Sequence, residues 1–319
     1  MNVDPNFANL TLSMLALVSG LVLLAVGGES LVAGASKFAL RHGMRPMVVG
    51  LTIVAFGTST PELFVSLNAA LHDHVDIMIG NVVGSNIANI GLVLALAALL
   101  RVVPVRFESI VKELYLVLAV SVLVFVIAWS GYFHRAFGLL FIAGLIWYTI
   151  NACQKKSNRH GEDGVVEDLV EYESHLKIIG LQLGGLVLLA YGSGLFIDGA
   201  VDVARYLNVS ELVVGLTVAA VGTSLPELAS SLSAVRRKEC DILIGNIIGS
   251  NMFNLMMVMG GTALITPFKL DGELFARDLP VMIFFTALLV PVLYFRHRLD
   301  RFVGLAMLFG YGLYIFWVI

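Results

Sequence analysis

Gly57-Thr58-Ser59-Thr60-Pro61-Glu62 and Gly222-Thr223-Ser224-Leu225-Pro226-Glu227 are two copies of one pattern, 165 residues apart. Each copy sits inside an apolar stretch long enough to cross a bilayer, which takes about 20 residues. A carboxylate near mid-membrane costs roughly 2.5–3.5 kcal/mol on insertion scales. The adjoining proline removes a backbone donor and strains the helix. A chain that accepts both penalties twice is expected to use those groups to hold a cation.

The same offset aligns the two halves without a gap. Residues 48–67 match residues 213–232 at 14 of 20 positions, and residues 76–90 match 241–255 at 9 of 15. Gly20 to Ala25 and Gly185 to Ala190 both read Gly-Leu-Val-Leu-Leu-Ala. Chance similarity between apolar helices does not reproduce Pro, Glu, Asn and Ser at one spacing. Gly20, Gly27 and Gly34 recur every seven residues, as do Gly185, Gly192 and Gly199. Small residues on one face let helices approach closely. The stripes are read either as static packing or as a smooth face along which two helices slide.

Composition sets the class. Of 319 residues, 58% are hydrophobic and only 13% charged, and mean hydropathy is +0.90. A soluble domain carries about 25% charged residues, so the expected fold is an all-α membrane protein. Ten spans are predicted, near 10–40, 46–72, 76–100, 109–130, 134–152, 176–206, 211–236, 241–265, 277–296 and 299–318. With the N-terminus outside, 16 of the 20 lysines and arginines fall on the inner side, as the positive-inside rule requires. The expectation is therefore a multi-pass protein of the cell (inner) membrane with both termini extracytoplasmic. Residues 1–152 form the first five-helix repeat, 153–175 a cytoplasmic linker and 176–319 the second repeat. Five is odd, so the second copy enters the membrane from the opposite side. Inverted repeats of this kind are common in secondary transporters, with the site at mid-membrane between the halves. The linker carries Glu162, Asp163, Glu167, Asp168, Glu171 and Glu173. It reads as a solvated connection, because it lacks the spacing of an EF-hand loop. Cys153 and Cys240 form no metal-type spacing and imply no disulfide framework.

Two further repeated elements are Gly80-Asn81-Val82-Val83-Gly84-Ser85-Asn86-Ile87-Ala88-Asn89 and Gly245-Asn246-Ile247-Ile248-Gly249-Ser250-Asn251-Met252-Phe253-Asn254. Glycine and asparagine loosen an apolar helix and supply amide oxygens. The midplane then offers Glu62 and Glu227, hydroxyls of Thr58, Ser59, Thr223 and Ser224, and amides of Asn89 and Asn254. All are hard oxygen ligands. Calcium takes 6–8 oxygens in flexible geometry, whereas transition metals prefer imidazole or thiolate, and no histidine is expected at that depth. One Ca2+ neutralises two carboxylates, as do two Na+ or two protons. An empty site leaves two desolvated charges, so crossing while empty is unfavourable. Competition for shared oxygens with no empty return gives obligatory exchange.

On these residues the chain resembles the sodium/calcium exchangers of the calcium/cation antiporter superfamily, over essentially its whole length. The resemblance implies that Glu62 and Glu227 are shared Ca2+ and Na+ ligands, joined by Thr58 and Thr223. It implies sodium ligands at Ser59 and Ser224 and at the carbonyls of Ala55 and Ala220. Flanking polar positions fall at Ser85 and Ser250, and a central pair at Asn89 and Asn254. An aspartate in that pair marks the potassium-dependent branch, so Asn254 leans away from a potassium requirement. The family usually exchanges three Na+ per Ca2+; with two acids, a third Na+ rides on neutral oxygens. The family also implies that the first and sixth helices slide past a stationary core.

The expected activity is Ca2+/Na+ antiport by alternating access, with no catalysis, no prosthetic group, no nucleic acid and no obligate protein partner. The ions and membrane lipid are the expected partners. A proton-coupled calcium antiporter is the alternative, although its Gly-Asn-Ala-x-Glu pattern is missing. A calcium-permeable channel shares the oxygen-rich site. An intramembrane protease lacks a base or paired aspartates at depth. Glu29, Asp198 and Asp202 lie within the two long helices without a repeat partner, and either line a path or pair locally. His72, Asp73, His74 and Asp76 read as a polar turn. Met252, Met256, Met257 and Met259 read as adaptable packing.

Overall fold

The computed structural model describes residues 7, 9–72, 74–129, 131–154, 174–207, 222–269 and 274–318. Among them eight helices are long and apolar enough to cross a membrane, and a ninth span results if one bent pair is counted together. The chain is a multi-pass helical membrane protein. The span expected at 211–236 is described only from Gly222 onward, and the acidic stretch of the linker lies outside the described residues.

The helices are α1 (Leu10–Arg41), α2 (Pro46–Thr58), α3 (Thr60–Leu71), α4 (Val75–Leu100), α5 (Phe107–Trp129), α6 (Arg135–Gln154), α7 (His175–Tyr206), α8 (Leu225–Arg236), α9 (Cys240–Ile265), α10 (Ala276–Arg296) and α11 (Arg301–Val318). The starts follow local chemistry. Asn9 caps α1 by accepting the Leu12 N–H at 3.0 Å, and Ser174 caps α7 by accepting the Lys177 N–H at 3.2 Å. Each satisfies a donor the first turn leaves open. Pro61 and Pro226 both occupy the first turn of a helix, where the missing N–H is harmless.

Helix boundaries repeat at the offset seen in the sequence. Leu10–Arg41 recurs as His175–Tyr206, Thr60–Leu71 as Leu225–Arg236, and Val75–Ala88 as Cys240–Phe253. The α-helical hydrogen-bond pattern gives way to π-helix at Asn89–Leu94 in α4 and at Asn254–Met259 in α9. A π-helix leaves carbonyls less regularly engaged and is common at functional sites.

Two short antiparallel contacts pin the loops at either end of α5. Val103 pairs with Leu299, and Phe133 pairs with Phe268 through N–H···O bonds of 2.7 and 3.3 Å. Phe268 follows Val103, and Arg298 follows Phe133, by the same 165 residues. The loops of one half are therefore tied crosswise to those of the other.

The buried core runs along α2, α4 and α9, with α5 and α10 packed outside it. By contrast α1 and α7 pack on each other backbone to backbone. A Cβ on Gly20 would lie 2.5 Å from the Phe196 N, one on Gly27 2.9 Å from the Gly185 O, and one on Gly199 2.6 Å from the Leu17 N. Both heptad stripes face one another, so the expected close approach is met.

Candidate cation site

The chain turns at Ser59, where α2 and α3 meet at 42°. Ser59 has φ −85° and ψ 2°, outside the helical well, and Ser224 repeats it with φ −85° and ψ 5°. Each break puts a Thr-Ser pair one residue before Pro-Glu. Glu62 and Glu227 are both fully buried, on the first turns of α3 and α8.

Close approach brings α2 against α9. A Cβ on Gly50 would stand 2.5 Å from the Ile242 O, and one on Gly249 2.6 Å from the Leu51 O. Thr58 Oγ1 is thereby set 3.3 Å from Asn246 Oδ1 and 3.3 Å from Ser250 Oγ. Its own helix supplies the Ala55 carbonyl at 3.4 Å. Ser59 Oγ donates to Glu227 Oε1 across the halves at 3.4 Å. Ser85 Oγ lies 3.3 Å from Thr223 Oγ1, the repeat counterpart of the Thr58–Ser250 contact. The amides behave likewise. Asn89 Nδ2 donates to Asn251 Oδ1 at 3.0 Å, and Asn254 Nδ2 donates to Asn86 Oδ1 at 3.4 Å.

Of the residues singled out from the sequence, Ala55, Thr58, Ser59, Glu62, Ser85, Asn89, Ser224, Glu227, Ser250 and Asn254 are buried around this centre, and Thr223 is partly buried beside it. Ala220 lies outside the described residues. Five side chains carry more of the network than their motif positions indicated. Asn81 Nδ2 donates to the Glu62 carbonyl at 3.2 Å and to Ser66 Oγ at 2.9 Å. Asn246 Nδ2 donates to Ser230 Oγ at 3.1 Å and to Ser231 Oγ at 3.4 Å. Ser230 Oγ donates in turn to the Glu227 carbonyl at 3.1 Å. These asparagines bridge the turn that carries each glutamate to the helix behind it. Their recurrence at the repeat offset was the available signal; their partners depend on which helices pack together.

The donors so consumed leave a set of acceptors over. Nine buried side-chain polar atoms lack a hydrogen-bond partner among the described residues, and six are oxygens of this centre. They are both carboxylate oxygens of Glu62, Oε2 of Glu227, Oδ1 of Asn89 and of Asn254, and Ser224 Oγ. A buried unpaired acceptor costs about 1–3 kcal/mol, and a group of them calls for a positive ligand. The donor chemistry fits a hard cation. No group of three or more His, Cys, Asp or Glu side chains gathers anywhere among the described residues, whereas zinc-type sites need nitrogen and sulfur donors.

The remaining polar residues separate from this centre. Glu29 forms an ion pair with Arg237, and Asp202 accepts the Phe7 N–H at 2.8 Å and faces Arg205 at 3.5 Å. Both engage local partners, the second of the two readings open from the sequence. His72 Nδ1 lies 2.8 Å from the Asn68 carbonyl at the end of α3, as a turn residue would, and Asp73 is outside the described residues.

A membrane bundle whose helices break around a buried cluster of hard oxygen ligands has the architecture of a cation-transport protein. The chain is a member of the sodium/calcium exchanger protein family, whose family model matches residues 12–153 and 177–319. It is 41% identical over 273 residues to the inner membrane protein YrbG of Escherichia coli, covering 84% of each chain. It is 31% identical to the sodium/calcium exchanger MaX1 of Methanosarcina acetivorans, covering 95% of this chain and 97% of that one. Among solved structures it resembles the sodium-calcium exchanger NCX_Mj soaked with Na+ and Sr2+. That match has TM-score 0.83 and 30% identity, over 96% of this chain and 99% of the other.

Proposed function

We propose that this chain exchanges Ca2+ for Na+ by alternating access, through ten spans arranged as two inverted repeats with both termini extracytoplasmic. The observation that carries the reading is the set of six unpaired oxygens around two fully buried glutamates. A divalent cation matches two carboxylates in charge, and Ca2+ accepts 6–8 oxygen ligands in irregular geometry. In this reading Glu62, Glu227, Thr58 and Thr223 hold Ca2+. Ser59, Ser224, Ala55, Ala220, Ser85 and Ser250 extend the cage to Na+, with Asn89 and Asn254 at its centre.

Exchange follows from the charge balance. With either ion load the site is near neutral, and α1 and α7 are free to shift along their glycine faces. Emptied, the site holds two unscreened carboxylates in a low-dielectric interior, which opposes the shift. If one net positive charge moves per cycle, the membrane potential contributes about 2.3 kcal/mol per 100 mV.

Purified protein in liposomes tests this directly. A sodium gradient is expected to drive saturable Ca2+ uptake, and a proton gradient of equal size is expected to drive little. Uptake driven equally by protons would replace sodium coupling with proton coupling. Non-saturating flux without a counter-ion would make the protein a channel. Glu62→Gln and Glu227→Gln are each expected to abolish exchange while the protein still inserts and folds, and near-normal exchange in either variant would remove the assigned ligands.

A further inference from the structure

Away from the ion path, basic side chains gather at the end of the bundle where α4, α9, α10 and α11 meet. An open cleft of about 1130 Å³ there is lined by Arg101, Lys238, Arg296, Arg298 and Arg301, against the single carboxylate of Asp300. That carboxylate is already engaged. It receives Arg296 Nη1 at 2.9 Å, faces Arg298 Nε at 3.7 Å, and caps α11 by accepting the Val303 N–H at 3.1 Å. Arg101, Lys238 and Arg301 face no carboxylate at ion-pair distance among the described residues. Glu239 and Asp241 line the adjoining cleft beside Lys238 and Cys240, and the Glu239 carboxylate is held by Ser36 Oγ at 2.6 Å.

The surroundings make this cleft more than a scatter of surface cations. Its backbone is fixed by the Val103–Leu299 pairing and by the Val105 N–H, which donates to the His297 carbonyl at 2.9 Å. Lys238 (φ 65°) and His297 (φ 52°) are the only non-glycine residues with positive φ among those described, and both line it. A helix end in this conformation is normally given to glycine. The chain instead accepts strain and keeps two basic side chains, and such outliers cluster where side chains have work to do. The lip is apolar: Leu100, Val102 and Phe302 are exposed beside the charges, and the Arg296 guanidinium sits 5.4 Å over the Phe302 ring.

We propose that this cleft binds the phosphate headgroup of an anionic phospholipid. Arg101, Lys238, Arg298 and Arg301 meet the phosphate oxygens, and the acyl chains lie over Leu100, Val102 and Phe302. Basic clefts between spans at a membrane edge suit such headgroups, and guanidinium groups match phosphate oxygens two at a time. The assignment goes beyond ion exchange and does not depend on which ions are exchanged.

Native mass spectrometry of the full chain in detergent, with cardiolipin or phosphatidylcholine added, tests it. Wild-type protein is expected to retain cardiolipin in clear preference to phosphatidylcholine. Each basic residue near an anionic lipid is worth roughly fivefold in binding, so Arg298→Gln with Arg301→Gln is expected to weaken cardiolipin by about twenty-fivefold. Lys238→Gly removes a charge while supplying the residue that φ favours. Lipid-free thermal stability is then expected to hold or rise while cardiolipin affinity falls, which separates lost binding from lost folding. Equal cardiolipin affinity in these variants, or no preference over phosphatidylcholine, would overturn the proposal. Displacement of cardiolipin by millimolar inorganic phosphate would also overturn it, by making the cleft a site for a free anion.

Discussion

The α1/α7 pair and the α4/α9 pair are built from equally apolar sequence and are used in opposite ways. In the most apolar window of α1 28% of residues are buried, and in that of α7 33%; for α4 the share is 78% and for α9 100%. Hydropathy separates none of these helices, since all four exceed the threshold for a span. The polar content and its placement do. Asparagines and serines line α4 and α9, where each finds partners on other helices. Along α1 and α7 the repeated feature is glycine, and what glycine provides is proximity. One pair is a fixed wall of specific hydrogen bonds. The other touches mostly through backbone along its glycine faces, with side-chain contacts at its ends, where Arg41 Nε donates to His175 Nε2 at 3.0 Å and Asp202 accepts the Phe7 N–H at 2.8 Å.

Adding volume between α1 and α7 is the sharpest way to break that contrast. A Cβ on Gly185 would meet the Leu31 N at 2.7 Å and the Gly27 O at 2.8 Å, both backbone atoms that cannot rotate away. Gly185→Val is expected to cost about 3 kcal/mol of stability, the upper end for overpacking, and to suppress exchange. Gly184→Val, one residue away and exposed with nothing within 4 Å, is expected to stay near wild type. Thermal unfolding in detergent and liposome flux read both; equal effects would deny the pair its close contact.

Removing a side chain from the wall should cost less. Asn251 accepts from Asn89 at 3.0 Å and donates to the Asn86 carbonyl at 3.4 Å. Interhelical hydrogen bonds in membranes average about 0.6 kcal/mol with a maximum near 1.7. Asn251→Ala is therefore expected to lower stability by about 1–2 kcal/mol and to disturb ion affinity through Asn89. Unchanged apparent affinity for both ions would place Asn251 outside the centre.

The smallest effect is expected at the ion pair of Glu29 with Arg237, which links α1 to the end of α8 and leaves both side chains substantially exposed. Exposed pairs are worth about 0–1 kcal/mol. Arg237→Gln should leave thermal stability within that range. A larger loss would mean that α1 is tied to the core more tightly than its glycine face implies.

Much of this was legible in the chain. The Pro61 and Pro226 breaks, the buried acids and the glycine stripes could be read because each is a local violation of what a lipid-exposed helix tolerates. The predicted spans agree with the observed helices to within a few residues wherever those helices are described. Asn81, Asn246, Ser66 and Ser230 were underweighted because a buried asparagine has no preferred partner until its neighbours are placed. The π-helical turns at Asn89 and Asn254 were also missed; one extra residue in a helical turn leaves no periodic trace in an apolar run.

Local chemistry along the chain sets the class of protein, the positions where its helices must break, and the acids that need a cation. Which oxygen ends beside which is a matter of packing between elements distant in sequence. Thr58 reaches Ser250 only because Gly50 and Gly249 let α2 and α9 touch. The amide oxygens of Asn89 and Asn254 are left over because the amide donors beside them go across to Asn251 and Asn86. Backbone strain and apolarity act within a few residues and are written in order, whereas hydrogen bonds across helices are settled by competition among neighbours that only the folded bundle brings together.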